Sequence, residues 1–366
     1  MKILHTSDWH LGIDYHRHSF TEDQRYALRQ YYEIIQQEAV DVVLICGDIY
    51  DTTLASKEAI ALFDEAIKHM IQELKVKVIV IAGNHDSATR LSIMRDLLEA
   101  QGLYIFGTLT SKPQPLTIDN VDFYPIPFVH KDTISAVFQR SFSNYEQAFL
   151  QLTDHIRSQK RENRQMVLAH AFVNGAKVCE SDRFAHIGGT DLISKDIFYD
   201  IDYVALGHLH RPQKIAEHIR YSGSLCPYTF SETAAKEVVL IDSETMDIKS
   251  LPIAPLHPMT TIAGSYETVC EQLLKHQEDY VKIILEDQGI SFELLEMFKE
   301  RCPYLLTLSS NQQEQREAVT LQANDLDTLS DEAIVKQFFM DYFNREVTAE
   351  ESDWLKQAKG SEFICG

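Results

Sequence analysis

Five short stretches of this 366-residue chain carry side chains suited to holding metal ions. They are Asp8-Trp9-His10, Gly47-Asp48, Gly83-Asn84-His85-Asp86, His170 and Gly207-His208-Leu209-His210. Carboxylate, imidazole and amide donors together suit intermediate first-row divalent ions such as manganese or iron, whereas a dedicated magnesium site uses mostly oxygen. A carboxylate has two oxygens and can bridge two cations, and two ions about 3.5–4 Å apart can clamp both the attacking and leaving oxygens of an in-line displacement. Such a set could hydrolyse phosphoesters.

Each piece alone has a plainer reading. Gly-Asn-His-Asp is often a turn, Gly-His-x-His can be a surface pair, and Asp48 could cap a helix. Their joint occurrence, each behind an apolar run, is what points to a site.

Those runs read as strands. Lys2 to His5 precedes the first motif, Val42-Val43-Leu44-Ile45 the second and Val78-Ile79-Val80-Ile81 the third; Met166 to Ala169 delivers His170, and Tyr203 to Leu206 leads into the last pair. β-Branched runs of this kind mark strands buried on both faces. In open α/β sheets ligands bind beyond the carboxyl ends of strands, so one geometry aims all five groups at one place. The glycines at 47, 83 and 207 keep Cβ bulk away from that point.

Between the strands lie helical stripes. Thr21 opens one, with Gln24 three residues on as in a capping box; Leu28, Tyr31 and Ile35 continue it. Ile60, Phe63, Ile67, Met70, Ile71 and Leu74 form the next. Further strands are expected at Val121 to Tyr124 and Val238 to Ile241. Alternating strands and helices predict an α/β fold with right-handed crossovers. Pro252, Pro255 and Pro258 suggest a boundary. The reading divides the chain into a catalytic domain at 1–255, a small β-α-β-α-β unit at 256–312 with clear strands at Val281 to Leu285 and Tyr304 to Leu308, and a helical segment at 313–366.

Apolar residues make up 45% and charged residues 24%, ordinary for a globular protein. Six cysteines without a C-x-x-C pair argue against a zinc ribbon or disulfide framework. With no signal peptide and no long apolar run, a cytoplasmic location is expected. The formal charge of −21 opposes free-standing, tight binding to nucleic acid, because phosphate backbones are held by cations. It does not oppose chemistry on a phosphodiester.

The five motifs resemble the calcineurin-like metallophosphoesterase superfamily, and within it the Mre-type nucleases. The likeness extends to Leu11-Gly12, Ala169-His170-Ala171, Tyr221-Ser222-Gly223-Ser224 and Phe230-Ser231-Glu232. It implies a two-sheet sandwich flanked by helices, with a small α/β capping domain and a C-terminal helical segment. It also implies two ions, manganese the best fit. One would be held by Asp8, His10 and His210, the other by Asn84, His170 and His208, with Asp48 bridging. His85 would stand beside the scissile phosphate, and Asp86 would hold the His85 ring or its loop.

The implied activity is double-strand exonuclease and single-strand or hairpin endonuclease cutting of DNA, in break and hairpin processing. The implied partners are an SbcC-type ABC ATPase with a long coiled coil and a second copy of the chain, in a heterotetramer. Asp51 stands where archaeal and eukaryotic relatives carry histidine, and Ala55-Ser56 where many carry proline. No phosphate-binding Walker loop occurs, so any ATPase lies in another chain.

Three weaker readings remain. Phe338, Phe339, Tyr342 and Phe343 form an aromatic face that is either core or a docking surface for the ATPase. The 172–198 loop, with Lys177, Arg183 and Lys195, is either plain surface or a DNA contact, and Arg17 poses the same choice. Two rivals stand beside the nuclease: a phosphatase or phosphodiesterase acting on a small substrate, and a metal-binding scaffold that does not cut. Gly-Asn-His-Asp in place of a terminal Glu disfavours a protein phosphatase. Intact His85 disfavours a scaffold.

Overall fold

The computed structural model describes residues 1–16, 18–110, 113–159, 162–179, 181–182, 192–287, 289–311 and 348. Arg17, Arg183 and the 313–366 segment apart from Thr348 lie outside the described residues, including the aromatic face around Phe338.

Two six-stranded sheets stack face to face. In the first, Lys2–Thr6, Val42–Cys46, Lys77–Ile81 and Leu103–Phe106 run parallel, and Lys236–Asp242 and Ile248–Ile253 are added antiparallel. In the second, Val121–Ile126, Arg164–His170, Tyr203–Gly207 and Ile219–Tyr221 run parallel, with Leu116–Ile118 and Gln213–Ala216 as antiparallel edges. The period of two sorts each strand. Val42, Leu44, Ile79 and Ile81 face Phe123, Met166, Leu168 and Ala205 between the sheets. Val43, Ile45, Val78 and Val80 instead meet the helices Thr21–Glu38 and Lys57–Lys68 outside the first sheet. Val167, Val204 and Leu206 meet Tyr145–Ser158 and Lys131–Phe138 outside the second. Fully apolar strands are therefore needed in both sheets.

Met259–Gly264, Tyr280–Leu285 and Leu305–Ser310 form a separate three-stranded parallel sheet whose crossovers are the helices Tyr266–Leu273 and Phe292–Arg301. It has its own core of Ile262, Val269, Ile283 and Phe298. Tyr280 ties it to the sandwich: its hydroxyl donates to Asp23 Oδ2 at 2.7 Å and lies 2.8 Å from His18 Nε2.

Four details depart from the sequence reading. Helix Thr21–Glu38 starts from Phe20 with no side-chain cap, and Gln24 is buried elsewhere. Strand Ile248–Ile253 runs through Pro252, which an edge strand tolerates because its outward side needs no donor. Ile60 is half exposed, and the helix passes into a wider turn at His69–Glu73. The 172–198 stretch is more than loop: Phe172–Val173 pairs with Leu192–Ile193, and Lys195–Phe198 forms a 3-10 turn. The five described cysteines are free, and among the described residues no helix is long and apolar enough to cross a membrane.

Candidate metal centre

The strands Lys2–Thr6, Val42–Cys46, Lys77–Ile81, Arg164–His170 and Tyr203–Gly207 deliver their loops to one end of the sandwich. The first two loops are stitched together: Asp8 N donates to Gly47 O and His10 N to Asp48 O, both at 3.0 Å. Turning side chains inward there forces unusual backbone. Asp8, His10, Asp48 and His208 all have positive φ (51°, 43°, 48° and 103°), a conformation that costs a non-glycine residue about 1–3 kcal/mol. Gly47 and Gly207 leave room for the donors; a Cβ on Gly47 would lie 2.2 Å from His170 Nδ1, and one on Gly207 1.8 Å from Cys46 O.

All seven side chains read from the sequence as ligands come together here. Asp48 stands in the middle, its Oδ2 3.3 Å from His170 Nε2 and 3.7 Å from His10 Nε2, while its Oδ1 accepts from His85 N at 2.8 Å. On one side, Asn84 Oδ1 lies 2.9 Å from both His170 Nε2 and His208 Nδ1, which are 3.3 Å from each other. On the other, His210 Nε2 is 3.0 Å from His10 Nε2, and the donor atoms of Asp8, His10 and His210 lie within 4.8 Å of one another. Asp8 also accepts from His208 N at 2.9 Å and from Ser7 Oγ at 2.6 Å.

This donor set fits divalent cations. His170 turns Nδ1 to Cys46 O at 2.9 Å, so the proton of a neutral ring belongs there and the Nε2 lone pair faces Asn84 and Asp48 oxygens. Acceptor facing acceptor calls for a positive charge between them. Burial alone would lower the His170 pKa, but the Asp48 carboxylate outweighs it and raises the value to about 9, so Asp48 favours positive charge at this point. Asp48 in turn is held far below the usual carboxylate range, its burial outweighed by His170 and His10. His10 Nδ1 is buried with no hydrogen-bond partner, although Asp51 Oδ1 lies 3.3 Å away.

His85 is half-buried at the edge. Its Nδ1 lies 2.7 Å from Asp51 O, which leaves Nε2 for a substrate. Asp86 does not hold that ring. It accepts from Gly83 N, Ile49 N and Tyr50 N at 2.8–3.1 Å and so locks the second and third loops together. Burial and the nearby Asp48 raise its pKa to about 6.

Gln24, read as a cap, fixes the first loop instead, its amide donating to His10 O at 2.8 Å and Trp9 O at 3.2 Å. Phe128, not singled out in the sequence, stacks 6.4 Å from the His208 ring. Nothing in local sequence marks either role, since both partners come from distant segments.

Fold and site together define a calcineurin-like phosphoesterase, and the family model of that description matches residues 1–212. Residues 255–342 match the model described as the type 5 capsule protein repressor C-terminal domain. A Staphylococcus saprophyticus protein, named as the D subunit of nuclease SbcCD, is 32% identical over 98% of this chain and 97% of its own. The Staphylococcus epidermidis protein of the same name is 31% identical over 97% of each. A solved Thermus thermophilus structure aligns over 69% of this chain and 99% of its own, with TM-score 0.42 and 12% identity, too slight a likeness to argue from. The chain belongs to the SbcD family of calcineurin-like phosphoesterases.

Proposed function

We propose that this chain is a metal-dependent nuclease that cuts DNA phosphodiester bonds, as a double-strand exonuclease and a single-strand or hairpin endonuclease. The observation that carries the reading is the convergence of six donor side chains on the two sides of Asp48. The name of the two staphylococcal relatives, the D subunit of nuclease SbcCD, supports DNA as the substrate and an SbcC-type ATPase as the partner. Such a partner would also supply the DNA grip that a chain of charge −21 lacks.

In this reading Asp8, His10 and His210 would hold one ion and Asn84, His170 and His208 the other, with Asp48 shared between them. Manganese suits the mixed nitrogen and oxygen donors. When bound, the ions supply Lewis acidity to the phosphate oxygens. Doubly protonated, with its Nδ1 proton on the carbonyl of Asp51, His85 would give its Nε2 proton to the leaving oxygen or steady the charge growing there. Asp86 keeps the His85 loop against the Asp48 loop. Residues 1–255 carry this chemistry, 256–312 form the capping unit, and 313–366 dock the ATPase.

We assign the second copy of the chain to the apolar face that exposes Leu54, Ile60, Ile93, Met94 and Leu97 beside the helix Lys57–Lys68. That face borders a cavity of about 740 Å³ lined in part by Leu54, Ile60 and Ile93, and exposed apolar side chains grouped on one face mark interaction sites. An Ile93→Glu variant should run as a monomer in light scattering with manganese uptake intact; an unchanged dimer mass would defeat the assignment.

The direct test is manganese-dependent digestion of labelled linear DNA, with and without the ATPase, by wild type and His85→Ala. Loss of cutting in the variant is expected. Hydrolysis of bis-p-nitrophenyl phosphate with DNA untouched under every condition would favour the small-substrate phosphoesterase.

A further inference from the structure

Behind His210, on the side away from His10, lies a buried ionic cluster that the proposed chemistry does not use. Glu232 and Lys236 are 5% and 3% exposed. Lys236 Nζ donates to Glu232 Oε2 at 2.6 Å, to Ser224 Oγ at 2.6 Å and to the His210 carbonyl at 2.8 Å, so its three protons are all engaged. Glu232 Oε1 accepts from Ser181 Oγ at 3.0 Å and lies 3.3 Å from His210 Nδ1. Asp182 Oδ1 accepts from His210 N at 3.1 Å. A buried Lys–Glu pair is a poor source of stability, because desolvating two charges offsets most of their attraction. The pair therefore calls for another reason to exist.

We infer that Glu232 is a positioning residue: its carboxylate, fixed by Lys236, holds the proton of His210 on Nδ1 and so turns the Nε2 lone pair toward the ion shared with Asp8 and His10. This rests on the two-ion reading above. An imidazole that binds a metal through one nitrogen carries its proton on the other, and the partner of that proton sets both tautomer and ring angle. His170 finds that partner in a backbone carbonyl, Cys46 O. His210 finds it in Glu232. Lys236 Nζ, 2.6 Å from Glu232 Oε2, gives the carboxylate a paired cation on the side away from His210. Because Lys236 balances its charge, Glu232 orients the ring without adding net charge to the centre. Asp8 and Asp48 remain the carboxylates that face the cations.

The cluster makes an unusual prediction for the nearly isosteric change Glu232→Gln. Lys236 is a pure donor and takes the amide oxygen, which leaves the amide NH₂ facing His210 Nδ1. His210 then accepts on Nδ1 and carries its proton on Nε2, where the ion should bind. Removing the ammonium lets the amide turn back, so adding Lys236→Met should restore what Glu232→Gln takes away.

The experiment is titration of the full chain with MnCl₂, followed by calorimetry and electron paramagnetic resonance, together with metal-free melting temperatures. Glu232→Gln is expected to weaken one of two manganese sites by about 10–100-fold and leave the other as in wild type. The Glu232→Gln, Lys236→Met double variant is expected to recover to within about tenfold of wild type. Three outcomes would overturn the inference. Unchanged binding in Glu232→Gln removes its role. Equal weakening of both sites with a lowered metal-free melting temperature makes the pair merely structural. Failure of the double variant to recover excludes the tautomer argument. Wild type that takes up no manganese at all would instead remove the two-ion reading itself.

Discussion

On one side of Asp48, the backbone does most of the aiming: the Cys46 carbonyl sets His170, and Gly47 and Gly207 give the ring its space. On the other side, carboxylates stand behind the rings. Glu232 Oε1 pairs with His210 Nδ1 at 3.3 Å, and Asp51 Oδ1 lies 3.3 Å from His10 Nδ1 without hydrogen-bonding it. The first half is fixed by groups that no side-chain substitution removes, but a single added methyl can destroy it. The second tolerates bulk less strictly, yet depends on the charge and protonation of its supports.

The contrast breaks most severely at the residue common to both halves. Asp48→Asn should weaken manganese uptake on both sides and depress DNA cutting beyond the roughly 100-fold that loss of an outer hydrogen bond costs. Loss confined to one ion, read by calorimetry, would show that Asp48 does not bridge. Next comes Gly47→Ala, where a methyl would meet His170 Nδ1 at 2.2 Å in a left-handed backbone. It should cost about 100-fold in activity through ligand misplacement and weaken only the His170 half. An undisturbed site in a crystal structure of that variant would refute the backbone-held picture.

Asp51→Ala should be milder. It keeps the carbonyl that aims His85 and removes only the carboxylate beside His10, so about a tenfold loss in affinity is expected, on the His10 and His210 side alone. An equal loss at both ions would erase the distinction between the halves.

The smallest effect at neutral pH concerns both halves at once. His5 lies under the centre, with Nε2 3.1 Å from Leu206 O and Nδ1 3.0 Å from the Tyr203 hydroxyl, joining the strand behind Asp8 to the strand before His208. Burial lowers its pKa from 6.5 to about 3. The unfolded chain then binds a proton that the folded chain refuses, so stability is full above pH 6.5 and declines toward pH 3. The slope from this group approaches about 1.4 kcal/mol per pH unit. Urea denaturation of His5→Gln should show a flatter decline over that range; an equal slope would assign the acid sensitivity to other groups.

Much of the fold was legible in the residues. Val42-Val43-Leu44-Ile45 and Val78-Ile79-Val80-Ile81 read as strands covered on both faces, because only residues packed on each side can all be apolar. The structure buries every one of them. The β-α-β-α-β order after residue 256 was legible from its apolar runs, although only one face of that sheet is fully covered: Val281, Ile283 and Leu285 are buried while Lys282 and Ile284 are less so. Gln24 was not, since its spacing from Thr21 imitates a capping box while its amide reaches the Trp9 and His10 carbonyls. Pro252 misled because proline forbids a central strand and not an edge.

Within the site, the donor types were legible, and of their supports only Asp86, which holds the His85 loop, was read in its role. Asp8, Asp48 and His208 each follow an apolar run, a local signal. Glu232 entered only through the resemblance, with no role attached, and its i, i+4 spacing to Lys236 is one that many surface helices share, although here no helix contains them. Their meaning comes from His210, which lies in an earlier and separate segment.

The order of strands and the chemical types at their ends were thus determined by the sequence itself, because periodic burial and ligand chemistry are properties of neighbouring residues. Which nitrogen of each histidine faces the centre was decided only in the tertiary structure. That choice depends on what the opposite nitrogen meets, and for His170 and His210 the answers, a carbonyl at Cys46 and a carboxylate at Glu232, come from other segments of the chain.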